Sequence, residues 1–178
     1  MAKNIQDAMI RIAFTGPESS GKTTISQLVA AQFNATWIEE YARDYLHQSN
    51  GKYNAYDLDE IAIGQTEKRK GQNCELLFCD TELTVLKIWS EFKFGHVSKT
   101  ILKSYHEQHF DHYFLCRPDI PWEKDSLREN PFDRDALFEL YKIELKHCNR
   151  DFSVLEGSLE DRIKKSSQKI NQLIGASI

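Results

Sequence analysis

The chain has 178 residues, enough for one domain with its own core and too few for a second catalytic domain of ordinary size. Its 40% hydrophobic and 28% charged residues are typical of a globular protein and exclude disorder, collagen and a disulfide-stapled scaffold. The formal net charge of -4 comes from 23 Lys and Arg against 27 Asp and Glu, without a basic tail, so we expect no nucleic-acid partner. We expect a single domain over residues 1–178.

Targeting and redox signals are weak. No apolar run reaches the ~18 residues that a membrane-spanning helix needs, and Met1 to Asp7 is too polar for a signal peptide. We therefore expect a cytoplasmic protein without a membrane partner. The four cysteines form no C-x-x-C pair, and Cys79 and Cys116 lie in apolar runs, which indicates buried, reduced thiols.

Strand-like and helix-like segments alternate along the chain. Runs rich in β-branched and aromatic residues predict five strands, at Ile10–Thr15, Thr36–Glu39, Leu76–Asp80, His112–Cys116 and Phe152–Glu156. Apolar residues at helical spacing predict helices at Lys22–Phe33, Asp57–Gln72, from Glu82 to at least Ile88, at Arg134–His147 and at Leu159–Ile174. This alternation predicts a three-layer α/β fold, with a parallel sheet of five strands covered on both faces.

The segment 117–133, after the fourth predicted strand, shows neither the apolar spacing of a helix nor that of a strand. It contains three of the four prolines, several charges and one Trp. Long irregular loops inside compact domains are often lids over active sites, so we predict that this segment is a lid.

A phosphate-binding motif lies between the first strand and the first helix. The spacing G-x-x-x-x-G-K-[ST] is filled by Gly16, Pro17, Glu18, Ser19, Ser20, Gly21, Lys22 and Thr23. The glycines allow backbone N–H groups to point at phosphate oxygens, and the following helix adds unpaired donors at its first turn. Lys22 is predicted to reach the β- and γ-phosphates of ATP, and Thr23 to bind Mg²⁺. Motif and context together predict a P-loop NTPase or kinase fold, with Thr24 also at the nucleotide.

Two carboxylates follow predicted strands at the edge of the sheet that carries the P-loop. Asp80 ends the third strand, and we predict that it binds Mg²⁺ directly or through water, although an Asp here is also a common helix cap. Glu40 follows the second strand, and we predict that it orients or deprotonates the attacking hydroxyl, with Asp80 as the rival. Capping of a helix that holds Tyr45 and Leu46 is the alternative for Glu40.

Four cationic residues of the predicted lid are candidates to close over the triphosphate. They are Arg117, Lys124, Arg128 and Arg134. Arg128 and Arg134 are the strongest candidates for catalysis, because one arginine on a transferring phosphoryl group contributes factors of ~10³ to 10⁵ in rate. Surface salt bridges are the alternative for the set.

The motifs together resemble the ribosylnicotinamide kinase domain of NadR-type NAD-biosynthesis proteins. The P-loop with its flanks, F-T-G-P-E-S-S-G-K-T-T, is shared widely, whereas E-Y-A-R at 40–43 and C-R-P-D-I-P-W at 116–122 are more specific. The resemblance runs from about Arg11 to Arg162. It implies transfer of the ATP γ-phosphoryl group to the 5′-hydroxyl of nicotinamide riboside. The adenylyltransferase domain and DNA-binding segment of longer family members have no counterpart in this sequence. We therefore expect neither of those activities.

The resemblance also implies acceptor and adenine contacts. Acceptor contacts are implied for Glu40, Tyr41, Arg43, Asp80 and Trp122. Because the pyridinium ring is cationic, aromatic faces attract it by ~0.5 to 2 kcal/mol each, and Trp122 in its irregular loop is the better candidate than Trp89, which the helical spacing assigns to the core. P-loop kinases commonly pass backbone close to adenine at the position of Gly157, and Arg162 is predicted to cover the base.

Two other functions use the same motif. Another nucleoside or nucleotide kinase, for example for thymidylate or a deoxynucleoside, is the alternative within enzymes. A regulatory ATPase or switch is the alternative outside metabolism. The sequence contains no N-K-x-D guanine reader and no D-x-x-G switch segment, which argues against a GTPase.

Overall fold

The computed structural model describes residues 9–176, so the expectation about Met1 to Asp7 lies outside the described part. The strands are β1 (Ile10–Thr15), β2 (Thr36–Ile38), β3 (Leu76–Asp80), β4 (His112–Cys116) and β5 (Phe152–Leu155). The helices are α1 (Lys22–Phe33), α2 (Tyr41–Gln48), α3 (Ala55–Arg69), α4 (Leu83–Phe94), α5 (Lys99–Glu107), α6 (Arg134–His147) and α7 (Leu159–Ala176).

All five strands are parallel, in the order β2-β3-β1-β4-β5, which confirms the predicted sheet. The chain moves from β1 to one side of the sheet and then returns to the other side for β4. Ligands of open α/β sheets bind at such a switch point, outside the carboxyl ends of the strands. In this register Phe14 of β1 lies beside Asp80 of β3, and Thr15 lies beside Leu115 of β4. The loop after β1 and the carboxylate of Asp80 are therefore neighbours.

Each face of the sheet is covered by helices. Alternate β1 residues such as Ile12 and Phe14 pack with α1 and α7 on one face, and Ala13 packs with α4 and α6 on the other. A further apolar cluster joins α2, α3, α4 and α5 outside the second layer. This cluster positions α2 and α4, which form much of the cavity described below.

The structure differs from the sequence predictions in a few elements. α5 was not predicted: the Ser98 hydroxyl caps it by accepting from the N–H of Ile101, but only Ile101 and Tyr105 are buried on its inner face. α2 is a full helix of its own. α3 begins earlier and ends earlier than predicted, because Asn54 and Asp57 form a capping box at its start and Lys70 leaves the helical conformation. β2 and β5 each end one residue before the predicted boundary.

The predicted environment of the cysteines is confirmed for two of the four. Cys79 and Cys116 are fully buried in the sheet, whereas Cys74 and Cys148 are half-buried, and all four are free thiols. Over residues 9–176, none of the helices combines the length and the apolar character that crossing a membrane requires.

Candidate active site

The loop that joins β1 to α1 follows a path that few residues can adopt. Gly16 has a φ of 130°, and a Cβ there would lie 2.7 Å from the carbonyl oxygen of Cys116, so any side chain would collide with β4. Ser19 and Gly21 also have positive φ, of 52° and 82°. The predicted phosphate loop is thus a tight backbone turn against the end of β4, with α1 directly after it.

The N-terminus of α1 is open to an anion. Gly21 is the N-cap residue, so no side chain accepts from the first N–H groups, and the first turn contains no acidic residue. The buried hydroxyl of Ser20 has no hydrogen-bond partner in the described part of the chain. Unpaired donors and the helix dipole make this end of α1 suited to phosphate.

Lys22 lies at the mouth of the loop. Its Nζ donates a hydrogen bond of 2.9 Å to the carbonyl oxygen of Pro17, and the residue is half-buried. The next two residues are Thr23, also half-buried, and Thr24, which is exposed. One ammonium group is thus held beside the unpaired N–H groups of the loop.

Asp80 lies below this loop and is only 1% exposed. The hydroxyl of Thr23 lies close to the Asp80 carboxylate, and Oδ1 of Asp80 has no hydrogen-bond partner among the described residues. Burial, and next the field of Glu40, raise the pKa of Asp80 to about 6, while Lys22, Thr23 and Arg43 act in the opposite direction. A buried carboxylate oxygen without a partner, beside a Thr hydroxyl, fits the oxygen ligands that Mg²⁺ prefers.

Glu82 is a site residue that the sequence reasoning missed. It is completely buried, and its carboxylate accepts hydrogen bonds from Thr15 Oγ at 2.7 Å, from Gln108 Nε2 at 2.6 Å, and from the N–H and hydroxyl of Thr84 at 2.7 Å each. It therefore joins the last residue of β1 to the turn after Asp80, where Thr81 has a φ of 77°. This network fixes the position of Asp80 relative to the phosphate loop.

One cavity of about 210 Å³ connects the phosphate loop with α2, α4, α6 and the segment 117–133. Its polar end is formed by residues 16–24 with Glu40, Arg43 and Arg128. Its other end is mainly apolar, and the side chains there are Ala42, Leu46, Val85, Ile88, Trp89, Phe92, Leu127, Leu137 and Tyr141. The charged end suits phosphate groups, and the apolar end suits an organic ring.

The predicted acceptor carboxylate lies at this cavity. Glu40 is the N-cap residue of α2, but its side chain makes no capping hydrogen bond, so the capping alternative is not the arrangement in the structure. Arg43, one turn later, also lines the cavity and is paired with Asp125 at 3.0 Å. The fields of Glu40 and Asp80 both reach the Arg43 guanidinium. These three groups therefore form one charged cluster.

The aromatic residues are arranged differently from the expectation. Tyr41 packs on α3, where a Cβ at Gly64 would lie 2.2 Å from its ring, and Trp122 lies 5.5 Å from the Arg134 guanidinium. Of the described residues, those that line the cavity include neither Tyr41 nor Trp122. They do include Trp89, which the sequence assigned to the core. The spacing on α4 did not distinguish a cavity wall from a core position, because both are formed by apolar side chains at helical spacing.

The segment 117–133 is irregular, as predicted, and contacts the phosphate loop through Glu18. The Glu18 carboxylate accepts a hydrogen bond of 3.0 Å from the N–H of Glu129 and another from the N–H of Asn130. A side chain that the motif leaves unspecified thus joins the phosphate loop to the following loop. That this segment opens and closes as a lid stays a prediction.

Two of the predicted lid arginines reach the phosphate loop. Arg128 lines the cavity and donates to the carbonyl of Glu123 at 2.6 Å and to Ser19 Oγ at 3.5 Å. Arg134 donates to the carbonyl oxygens of Ser19 and Ile120 at 3.0 and 3.1 Å. Arg128 is thus placed beside the site of the phosphates, while Arg134 holds the loop itself. Lys124 is exposed, and Arg117 is paired with Glu156.

Arg162 and Gly157 lie behind the phosphate loop. The Arg162 guanidinium is 3% exposed and donates to the carbonyl oxygens of Ser20 at 2.8 Å, Arg117 at 3.0 Å and Gly157 at 3.1 Å, as well as to Asp119. The Gly157 N–H donates to Asp119 at 2.7 Å. With all of these donors engaged by protein, the contacts assign Arg162 to holding the loop and do not favour the predicted role as a cover for adenine.

The pattern of this site matches a known family. The family model described as an AAA domain matches residues 11–162, which include every element from β1 to the start of α7. The chain belongs to the AAA-domain family. The matched range agrees with the extent of the resemblance that the motifs predicted.

This AAA domain is similar in sequence to NadR proteins, and it is similar in fold to a NadR structure and to a deoxyadenosine kinase structure. The trifunctional NAD biosynthesis/regulator protein NadR of Salmonella typhimurium is 29% identical over 177 residues, which cover 92% of this chain and 42% of the relative. A crystal structure of NadR in complex with NR has a TM-score of 0.76 at 18% identity, covering 96% of this chain and 53% of that one. Deoxyadenosine kinase from M. mycoides has a TM-score of 0.68 at 16% identity, covering 92% and 100%. The predicted P-loop kinase fold and the resemblance to NadR are confirmed, and this chain spans less than half of the curated relative.

Proposed function

We propose that this protein is an ATP-dependent kinase that phosphorylates the 5′-hydroxyl of nicotinamide riboside and forms nicotinamide mononucleotide. The observation that carries the proposal is the single cavity that joins the phosphate loop to Glu40 and to an apolar, aromatic wall. The names of the relatives support the NAD-salvage direction, since one is a NAD biosynthesis protein and one solved NadR structure contains NR. A cytoplasmic location, where ATP is available, is part of the same proposal.

The charges at the polar end suit phosphoryl transfer. The 5′-oxygen forms a bond to the γ-phosphorus while the bond between that phosphorus and the β–γ bridging oxygen breaks, and the hydroxyl proton passes to the Glu40 carboxylate. Glu40 makes no capping hydrogen bond, so its oxygens remain available to the hydroxyl. Arg43, beside it, balances the charge of the carboxylates. Positioning is the main task, because the transition state is loose.

Cations at the phosphate loop stabilise the transferring group. Lys22 and Arg128 both line the cavity beside the unpaired N–H groups of the loop. Thr23 and Asp80 are the residues that would hold Mg²⁺, which when bound neutralises charge on the phosphate oxygens. The contacts of Arg134 with Ser19 and Ile120 keep the loop and the segment 117–133 together. We therefore regard Arg134 as a positioning residue.

The main competitor is a kinase for another nucleoside or nucleotide, because the fold is shared with deoxyadenosine kinase. The test is incubation of the protein with ATP, Mg²⁺ and a panel of nucleosides and nucleotides, followed by mass spectrometry of the products. We expect nicotinamide mononucleotide as the dominant product. Absence of product from nicotinamide riboside, with a phosphorylated product from another acceptor, would establish the competitor.

A regulatory switch is tested by nucleotide choice and turnover. We expect ATP to be preferred strongly over GTP in competition binding, and we expect ATP consumption to depend on the acceptor. Equal affinity for the two nucleotides, together with ATP hydrolysis that no nucleoside accelerates, would support the switch instead.

A further inference from the structure

The apolar end of the cavity contains a polar group whose hydrogen-bonding capacity is unused, the hydroxyl of Tyr141. Tyr141 is 4% exposed and lines the cavity. Its hydroxyl makes no hydrogen bond to any residue between 9 and 176, and it does not belong to the polar atoms that are sealed from solvent, so it opens onto the cavity. A hydroxyl without a protein partner at a cavity wall is available to bond a ligand there.

The position of Tyr141 on α6 places it on the face of the helix that lines the cavity. Arg134, Leu137 and Tyr141 are separated by three and four residues, so they lie on one face of the helix. Arg134 contacts the phosphate loop, and the other two line the cavity. Val85 and Ile88 of α4 belong to the same lining and to the same apolar cluster as Tyr141. One polar group in an apolar wall is the arrangement that fixes the orientation of a ring.

The charges around Tyr141 decide which chemical group it serves. Burial, followed by the fields of Glu82, Glu40 and Glu18, raises the pKa of Tyr141 well above its usual range. The phenol therefore stays protonated and neutral, and it is available as a donor. Glu40 and Glu18 belong to the phosphate end, so Tyr141 lies at the border of the two ends, and the carboxylate field there disfavours a further anionic group that no cation balances. A neutral carbonyl oxygen is the partner that meets both conditions.

We propose that Tyr141 is a specificity-determining residue that donates a hydrogen bond to a neutral carbonyl oxygen on the base of the acceptor nucleoside. The inference rests on the proposed function, because it takes the base to occupy the apolar end of the cavity while the 5′-hydroxyl lies at Glu40. Since a site built to bond a polar group rejects analogues that lack it, Tyr141 should favour bases that carry a carbonyl substituent.

The experiment compares three ribosides that differ only in the base. Nicotinamide riboside and 3-acetylpyridine riboside both carry a carbonyl oxygen, and pyridine riboside carries none. The values of kcat/KM are measured for the wild type, for Tyr141→Phe, and for Tyr113→Phe. Tyr113 is a matched control, because its buried hydroxyl also has no partner in the described part of the chain but the residue does not line the cavity.

We expect the wild type to use the two carbonyl ribosides at least about 10-fold better than pyridine riboside. Tyr141→Phe should reduce kcat/KM for those two by about 10-fold and leave pyridine riboside and the KM for ATP unchanged, whereas Tyr113→Phe should preserve the wild-type order. The wild-type comparison alone is decisive if the variant fails to fold.

The outcomes separate the two proposals. Equal wild-type kcat/KM for the three ribosides overturns the role of Tyr141 while leaving the kinase proposal intact, and so does an equal loss for all three in Tyr141→Phe. Absence of product from nicotinamide riboside with the wild-type protein overturns the proposed substrate and, with it, this inference.

Discussion

The two ends of the cavity are built in different ways. The phosphate end comes from one continuous stretch, residues 16–24, with Asp80 as the neighbour on the next strand. The acceptor end comes from α2, α4, α6 and the segment 117–133, which are distant in sequence. Backbone geometry determines the phosphate end, whereas packing between helices determines the acceptor end. Changes at the first should affect the reaction with every acceptor, and changes at the second should affect the choice of acceptor.

The largest effect is expected for Lys22→Ala. The ammonium lies beside the unpaired N–H groups of α1, so its loss should lower kcat by about 10²- to 10³-fold with any acceptor. The melting temperature should change little, because Lys22 is only half-buried and its Nζ donates only to Pro17. Lys165→Ala, an exposed position on α7, is the control and should keep full turnover. Unchanged turnover of Lys22→Ala with an unaltered melting curve would contradict the assigned role.

The next effect is expected for Asp80→Asn, at the border of the two ends. We expect kcat to fall by about 10²-fold, because the amide is a poor Mg²⁺ ligand and lacks the negative charge. At sub-saturating Mg²⁺ the wild-type rate should also fall as the pH drops through about 6, because the proton and the metal ion compete for the Asp80 carboxylate. Rates of both proteins between pH 5 and 8, at sub-saturating Mg²⁺, test this.

Asp80→Asn should raise the free energy of unfolding, although it lowers kcat. The folded pKa of about 6 is above the ordinary value of 3.8, so the folded protein binds this proton more tightly than the unfolded chain does. The Asp80 carboxylate therefore lowers the free energy of unfolding as the pH rises through about 6. Without Mg²⁺ or nucleotide, Asp80→Asn should melt at a higher temperature than the wild type at pH 8, with a gain that shrinks below pH 6. A variant that melts lower at pH 8 would argue against a buried, strained carboxylate.

The same contrast explains how much the sequence revealed. The phosphate loop was predictable because its glycines and Lys22 carry their function at fixed spacing, and the strands were predictable from short apolar runs. Glu82 was not, since nothing in the sequence indicates that Thr15 and Gln108 converge on one carboxylate. Trp89 and Tyr141 follow the same helical spacing as core residues, so the pattern alone did not separate the cavity wall from the core.

The missed helix has a similar cause. α5 buries only Ile101 and Tyr105, and this single pair at helical spacing is too short a pattern to indicate a helix. Its cap, Ser98, was visible in the sequence, but a Ser before a short polar stretch is equally common in turns. Packing against α3 and α4 stabilises this helix, and such contacts exist only in the folded chain.

The smallest effect is expected for Asp125→Asn, which tests whether the acceptor end depends on the segment 117–133. Asp125 pairs with Arg43 at 3.0 Å, and a backbone N–H of Leu127 and then Arg43 hold the pKa of its carboxyl below the usual range. Because the pair is partly exposed, its loss should cost under about 1 kcal/mol, which corresponds to a rise of about 2- to 5-fold in the KM for the acceptor.

The KM for ATP should not change in Asp125→Asn, because the phosphate loop does not use this pair. Asp133→Asn is the control, since Asp133 is an exposed acid of the same segment whose side chain makes no capping hydrogen bond and which does not line the cavity. In wild type, protonation of Asp125 removes the stabilisation by the pair, so the acceptor KM should rise toward the variant's value as the pH falls below the usual carboxyl range. A matching rise in the KM for ATP would show that the phosphate end and the acceptor end of the cavity are coupled through this segment. The two ends would then differ in the elements that form them but would not act independently in function.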